Sequence, residues 1–441
     1  MLSWTIPRGG RRTELSRKRP LKIRYFPLLL VSGWTWNLSR WGVSFVGPFI
    51  ANDLTGSARM VQLAGVALWS PLLFGGVIGG WIADRFDRRR VVICQFFVTI
   101  PGLMLLGWIE LAGELRLWMV YPVLFVTGIG WVFDMVGRRV IVYDLVGSAN
   151  IDNALALEAS GGAIALALGA LGGGALIQTV GIGWALIVMG ALQIVSFSTF
   201  VAVPVIARME QVATAGVSAL LDGVRMLRTE KSLVSILGVT AFVNFFFFSS
   251  SPLLQVVGGK FDVGPALLGL LAAMLGIGMF GGSLAMARYQ PQRRGLMYVC
   301  GSYLAFMFMI GFALAPWYLA SAVSLAIAAS GMGLFASTQA VLVMDSVSEE
   351  RRGRALGLLS SAIGVLPIGM LVLGEIAELV GTSLAITISV ITGAVLMTIF
   401  LRIRPETLYL RQNTGEEEAP TTEDPPRSRG LPPTVFNLKP V

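Results

Sequence analysis

The stretch Gly79-Gly80-Trp81-Ile82-Ala83-Asp84-Arg85-Phe86-Asp87-Arg88-Arg89-Arg90 decides the reading of this chain. It is a polar break between two long apolar runs, with Asp84 and four arginines where a helix would leave lipid. Apolar runs recur on both sides of it. A helix needs about 20 apolar residues to cross the hydrocarbon of a bilayer. Twelve stretches of that kind follow one another: 25–49, 60–83, 90–111, 117–137, 153–178, 181–204, 233–256, 264–287, 295–315, 317–344, 355–378 and 382–402. Over 441 residues, 55% are hydrophobic and only 13% charged, with a mean hydropathy of +0.74. A soluble chain of this size needs far more charge to cover its surface.

The fold class that follows is an all-α polytopic membrane protein with twelve transmembrane helices. The net charge of +9 would suggest nucleic acid in a soluble chain. Its placement argues instead for membrane topology and against a nucleic-acid partner. Eight Lys/Arg precede Tyr25, and no small-residue cleavage site makes that tail a removable signal. With the tail in the cytoplasm, basic clusters fall on one side at every even crossing: Arg85 to Arg90, Arg138 and Arg139, Arg208 to Lys231, Arg288 to Arg294, and Arg351 to Arg354. The opposite loops hold only Arg59, Arg116 and Lys260. That is the positive-inside bias, and it puts both termini in the cytoplasm.

The layout expected is a basic tail (1–24), a six-helix bundle (25–204), a cytoplasmic linker (205–232), a second bundle (233–403) and a disordered tail rich in Pro, Glu, Thr and Arg (404–441). Within the linker, Ala219 to Ser232 reads as a short amphipathic helix near the membrane surface. The halves echo each other at an offset of about 200 residues. The polar break near residue 80 corresponds to GGSLAMARYQPQRR near 282, where Met286 stands in place of Asp84. Asp144 in YDLV corresponds to Asp345 in VMDSV. A repeat of six plus six helices suggests two pseudo-symmetric bundles around a central path.

These motifs resemble the major facilitator superfamily, and most nearly the bacterial subgroup of enterobactin exporters and of macrolide and multidrug efflux proteins. The family's loop reads G-x-L-A-D-R-x-G-R-K/R; here Gly80, Ala83, Asp84, Arg85, Arg88 and Arg89 match, and Asp87 replaces the usual glycine. GRRVIVYDLV resembles the subgroup's arginine followed by Asp-Leu-Val, with Arg138 and Asp144 in the corresponding places. Arg352, Gly353 and Arg354 resemble the family's entry to helix eleven. GALGGG, Gly169 to Gly174, stands where antiporters of the family have G-P-x-x-G-G, with Ala170 at the proline. It also reads as simple helix packing through small residues. The resemblance implies a gate in which Asp84 pairs with arginines and with the start of helix eleven in one state. It also implies export from the bacterial inner membrane by a monomer using protons.

Other residues stand out on physical grounds. Asp134 and Arg138 share a helix face at i,i+4, either as an extension of the gate or as a local salt bridge. Arg40 lies past mid-membrane in span one, one turn after Asn37. An arginine at that depth calls for an aqueous cavity, an acid, or a path to the surface. Glu158, early in span five, can carry protons if no arginine holds it ionised, and Asp134 is the other coupling candidate. Trp34, Asn37, Arg40, Asn244, Phe247 and Gln339 are candidates to line a cavity for an amphipathic substrate; aromatic residues at helical spacing equally read as packing residues.

No histidine and only two cysteines argue against zinc, haem or a disulfide framework. No nucleotide-binding loop, cofactor motif or clustered nucleophile and base points to an enzyme. The partners expected are a small-molecule substrate, protons and membrane lipids. Uptake, uniport and lysolipid movement on the same fold stay open, as does a non-transporting sensor or scaffold.

Overall fold

The computed structural model describes residues 20–74, 88–147, 150–204, 225–348 and 351–410. Gly80, Asp84 and Arg85 lie outside them, as do most of both tails and of the linker; residues 404–410 of the tail expected to be disordered are described, and Glu406–Tyr409 is helical. The first half contains α1 (Phe26–Thr55), α2 (Ala58–Trp69), α3 (Arg88–Leu111), α4 (Leu117–Val146), α5 (Ile151–Val180) and α6 (Ile182–Val201). The second contains α7 (Lys231–Phe246), a 3-10 segment (Phe248–Leu253), α8 (Leu254–Gly259), α9 (Pro265–Tyr289), α10 (Arg294–Leu314), α11 (Tyr318–Asp345), α12 (Arg352–Ile363), α13 (Leu366–Val380), α14 (Thr382–Ile403) and the short α15 (Glu406–Tyr409).

Among the described residues, ten helices are long and apolar enough to cross a membrane. α1 has the length, about 45 Å at 1.5 Å per residue. Its Ser32, Thr35, Asn37, Ser39 and Arg40 keep its apolarity below that of the others.

Successive helices are joined at one end by short turns: 56–57, 112–116, 181, 260–264, 315–317 and 381. We call this the short-loop end; the other, where α3, α10 and α12 begin on arginines, is the arginine-rich end. Gly181 and Gly381 each form a one-residue turn, with φ of 89° and 85°. Only glycine adopts that geometry without strain. They stand 200 residues apart, the offset seen between the motifs.

Two spans that read as continuous in sequence are broken. α7 stops at Phe246, and the chain passes through the 3-10 segment before α8. Pro252 lies inside that segment and offers no backbone N–H to an α-helical ladder. α12 stops at Ile363 and α13 restarts at Leu366, with Pro367 in its first turn. Both breaks wrap around α2: Gly65 packs on Pro252 and Met370, and Gly364 on Leu72 and Leu73.

Within the first half, α1 packs on α5 and α6, and α3 on α4 and α6. Lipid gives little hydrophobic drive between helices, so close contact and hydrogen bonds do the work. Ser32 donates to the Ser196 carbonyl (2.9 Å), Ser196 donates back to the Ser32 carbonyl (2.7 Å), and Ser39 donates to the Met189 carbonyl (2.9 Å). Across the halves, α5 packs on α9 and α2 on α13.

Candidate functional site

The spacing of α4 places Trp131, Asp134 and Arg138 on one face. Asp134 and Arg138 are both buried, and Arg138 Nη2 and Nε lie 2.7 and 2.8 Å from Asp134 Oδ1. Arg138 also donates to Ser32 Oγ on α1 (3.2 Å) and lies over the Phe200 ring of α6, 5.4 Å from its centroid. The pair therefore ties α4 to α1 and α6. Gly33 on α1 faces the same spot, its Cβ position lying 3.6 Å from Arg138 Nη1 and 3.7 Å from Glu158 Oε1. Asn37, Trp131, Asp134, Met135, Arg138, Leu155, Glu158, Ala159 and Gly162 line a cavity of about 330 Å³.

Arg40 does not reach the surface; it is 5% exposed. Its guanidinium lies between two indoles, 4.1 Å from the Trp41 centroid and 4.5 Å from that of Trp131. Desolvated cation–π contacts of this kind contribute about 2 kcal/mol. Asn37 Oδ1 lies 3.5 Å from Arg40 Nη2, and Asp134 is the acid whose field reaches Arg40. Trp69 extends the aromatic wall, 4.7 Å from Trp131 and 6.1 Å from Trp41. Trp41 and Trp69 in turn line a smaller pocket, about 70 Å³, between the halves, with Ser44, Ser251, Pro252 and Gln255.

The remaining sequence candidates fall in different places. Trp34 packs on Gly161, and its Nε1 donates to the Leu157 carbonyl (3.3 Å). Asn244 donates to the Thr240 carbonyl (2.9 Å), and Gln339 to Thr240 Oγ1 (3.3 Å). Thr240 Oγ1 and Tyr298 Oη are 2.7 Å apart, and Tyr298 stacks on Phe335 at 4.6 Å. This uncharged cluster belongs to the second half. Phe247 lies in the apolar core against Phe248. Neither it nor Asn244 nor Gln339 lines the two pockets just described.

At the arginine-rich end, Arg89 donates to the Val201 carbonyl (2.8 Å), holding α3 to the end of α6. Arg352 Nε lies 3.4 Å from the Met344 carbonyl, and Arg351 lies 3.3 Å from Glu230. Arg354 and Gly353 are exposed, and Asp144 lies partly buried in the last turn of α4. Asp84 and Arg85, the centre of the expected gate, fall outside the described residues, as does the Arg88 side chain. Spacing alone brought out Asp134 and Arg138. Trp41, Trp69, Trp131 and Tyr298 were missed, although Trp131 stands at i−3 from Asp134 and on its face. Among the described residues, no group of three or more His, Cys, Asp or Glu side chains is arranged to hold a metal ion.

The chain is 22% identical over 348 residues to macrolide efflux protein A of Streptococcus pyogenes, covering 76% of this chain and 85% of that one. It is also 22% identical over 331 residues to macrolide efflux protein A of Enterococcus faecalis, covering 71% and 100%. Solved transporters share the fold. A bacterial homologue of the human lysosomal transporter Spinster superposes with a TM-score of 0.62 at 17% identity, covering 87% of this chain and 96% of that one. The nucleoside transporter NupG gives 0.66 at 12% identity, with 86% and 99% covered. A POT family peptide transporter gives 0.69 at 15%, with 87% and 96% covered. The fold is that of a multi-pass membrane transporter rather than an enzyme. A sequence model of the Major Facilitator Superfamily matches residues 29–367 and 301–437, and the chain belongs to that superfamily.

Proposed function

We propose that the chain is a secondary exporter of small amphipathic organic compounds, of the drug or siderophore class, driven by inward proton flow. The observation that carries this reading is the cavity of the first half, where Glu158 and the Asp134–Arg138 pair meet beside an aromatic wall. A carboxylate at such a cavity can exchange a proton with it, and a locked ion pair next door makes the local charge depend on that exchange. Trp131 and Asn37 offer the mixed apolar and polar lining that amphipathic compounds require. The efflux named for the two relatives supports export.

The layout we propose is twelve spans in two six-helix halves, the ten long apolar helices being joined by α1 and by a longer α2. The matching turns at Gly181 and Gly381 support the repeat. Both termini are cytoplasmic in this reading, so the arginine-rich end faces inward. Transport then proceeds by alternating access, with an inner gate built from Gly80, Asp84, Arg85, Arg88, Arg89, Asp134, Arg138, Asp144, Arg352, Gly353 and Arg354. We assign proton coupling to Glu158, whose carboxylate lines the cavity beside the Asp134–Arg138 pair. The protein works as a monomer and needs no cofactor.

The test is flux in proteoliposomes under an imposed pH gradient. Thermal stabilisation by macrolides, siderophores, other drugs and lysolipids selects the compounds. Wild type should accumulate a selected compound in response to the gradient, and Glu158→Gln should flatten the pH dependence while still stabilising on compound addition. Flux that ignores the gradient in wild type would establish a uniporter instead. An unchanged pH profile in Glu158→Gln would remove the residue from coupling.

A further inference from the structure

At the short-loop end, two helix N-termini are each capped from the opposite half. α2 begins at Ala58, and the N–H of Arg59, its second residue, donates to Glu378 Oε2 on α13 (3.2 Å). The Ser57 hydroxyl donates to the same oxygen (3.0 Å), and Arg59 pairs with Glu375 at 2.8 Å. α9 begins at Pro265, and the N–H of Ala266, again its second residue, donates to Gln178 Oε1 on α5 (3.0 Å). That start has no cap of its own, because Gly264 has no side chain and Pro265 no N–H. The first N–H groups of a helix are left without partners inside it, so a side chain that arrives there satisfies a real deficit.

The two caps are counterparts. Gln178 and Glu378 stand 200 residues apart, each three residues before the one-residue turn at Gly181 or Gly381. Each reaches from one half to a helix start in the other. We infer that Glu378 and Gln178 are the paired positioning residues of the gate at the short-loop end, each holding the halves together by capping a helix of its neighbour.

The seam they close is poised to part. Gln62 donates to the Ser249 carbonyl (3.0 Å) and Gln255 to the Phe45 carbonyl (3.3 Å) across it. Yet Gln62 Oε1, Ser249 Oγ and Gln255 Oε1 are buried there without a hydrogen-bond partner. Buried polar atoms left in that state favour any arrangement that brings them a partner. The caps oppose that tendency from the rim, where they are made only while the halves touch. One cap is a carboxylate with a neighbouring ion pair and the other an amide. Glu378 adds charge complementarity with the α2 N-terminus to the hydrogen bond, whereas the Gln178 cap is neutral.

This inference rests on the alternating-access reading, but its test needs no substrate, so the two can fail separately. In a chain with Cys94→Ser and Cys300→Ser, Ser44→Cys places a thiol in the pocket between the halves. Its rate of reaction with a membrane-impermeant maleimide, added from the short-loop side of oriented vesicles, reads the gate. Losing a cap of ordinary strength should raise that rate about five-fold in Glu378→Ala and in Gln178→Ala, and further in the double variant. Glu378→Gln, which copies the counterpart, should stay within about two-fold of the parent, since the acceptor oxygen is kept. Wild-type rates in both alanine variants would overturn the assignment. A second measurement does not depend on those variants. Ser57→Cys with Glu378→Cys, bridged by a short bifunctional thiosulfonate, should suppress labelling of Ser44→Cys beyond what the same reagent does in a chain lacking that cysteine pair, and reduction should restore it. Labelling that continues with the bridge in place would also overturn it.

Discussion

A charge this deep in lipid must be answered by its surroundings, and Arg40 is answered by aromatic faces more than by acids. It lies between Trp41 and Trp131, with Asp134 the acid whose field reaches it. That depth called for company was legible in the sequence; that the company was Trp131 was not, because nothing local links α1 to α4. The Asp134–Arg138 pair was legible, since both lie on one helix at i,i+4. Removing one partner of a buried pair leaves the other charge uncompensated, which costs about 3–5 kcal/mol. Asp134→Asn should therefore lower the melting temperature in detergent sharply. The double variant Asp134→Leu with Arg138→Met should recover part of the loss. It should not recover all of it, because Arg40 loses the same acid. A double variant no better than Asp134→Asn would show that the pair acts through something other than its charges.

At the scale of elements, the GALGGG motif resolves into two jobs. Gly169 and Gly173 let α1 approach α5: a side chain on Gly169 would meet Trp41 Cβ at 2.7 Å, and one on Gly173 would meet Phe45 at 3.3 Å. Gly174 instead faces α9, where a side chain would run into the Pro265 carbonyl and meet Gly269 Cα at 2.9 Å. This crossing joins the halves, so its tightness matters only while the short-loop end is closed. Gly174→Val should insert normally, stop transport and raise labelling of Ser44→Cys from the short-loop side. Normal flux in that variant would show that the helices have room the structure does not give them. Small residues at a helix interface were readable as such; which helix they met was not, because apolar composition carries no partner information. The breaks in the seventh and eleventh spans were also missed. Hydropathy runs unbroken through them, and only Pro252 and Pro367 mark the spot.

The whole molecule is two halves joined tightly at the short-loop end, through α2 with α13 and α5 with α9. The offset near 200 that the sequence showed between motifs recurs in the structure between the turns at Gly181 and Gly381 and between Gln178 and Glu378. Basic residues announced the two ends. Arg89→Cys and Arg352→Cys, each alone in a chain without native cysteines, should both react with an impermeant reagent from the same side. Reaction from opposite sides would dismantle the topology. One consequence lies in how the chain is made. α1 leaves the ribosome before the helices it packs on, yet it is the least apolar of the long helices described and carries Arg40 near its middle. On insertion scales such a residue costs about 2.5–3.5 kcal/mol. Its partners, Trp131 on α4 and Ser196 and Met189 on α6, are synthesised only later. In a nascent chain ending at residue 112, Ser39→Cys on α1 should react with an aqueous maleimide, whereas in one ending at residue 204, where α6 covers it, the thiol should be protected. Arg40→Leu should abolish the difference. With that outcome, synthesis of this protein would hold α1 in waiting until α6 arrives.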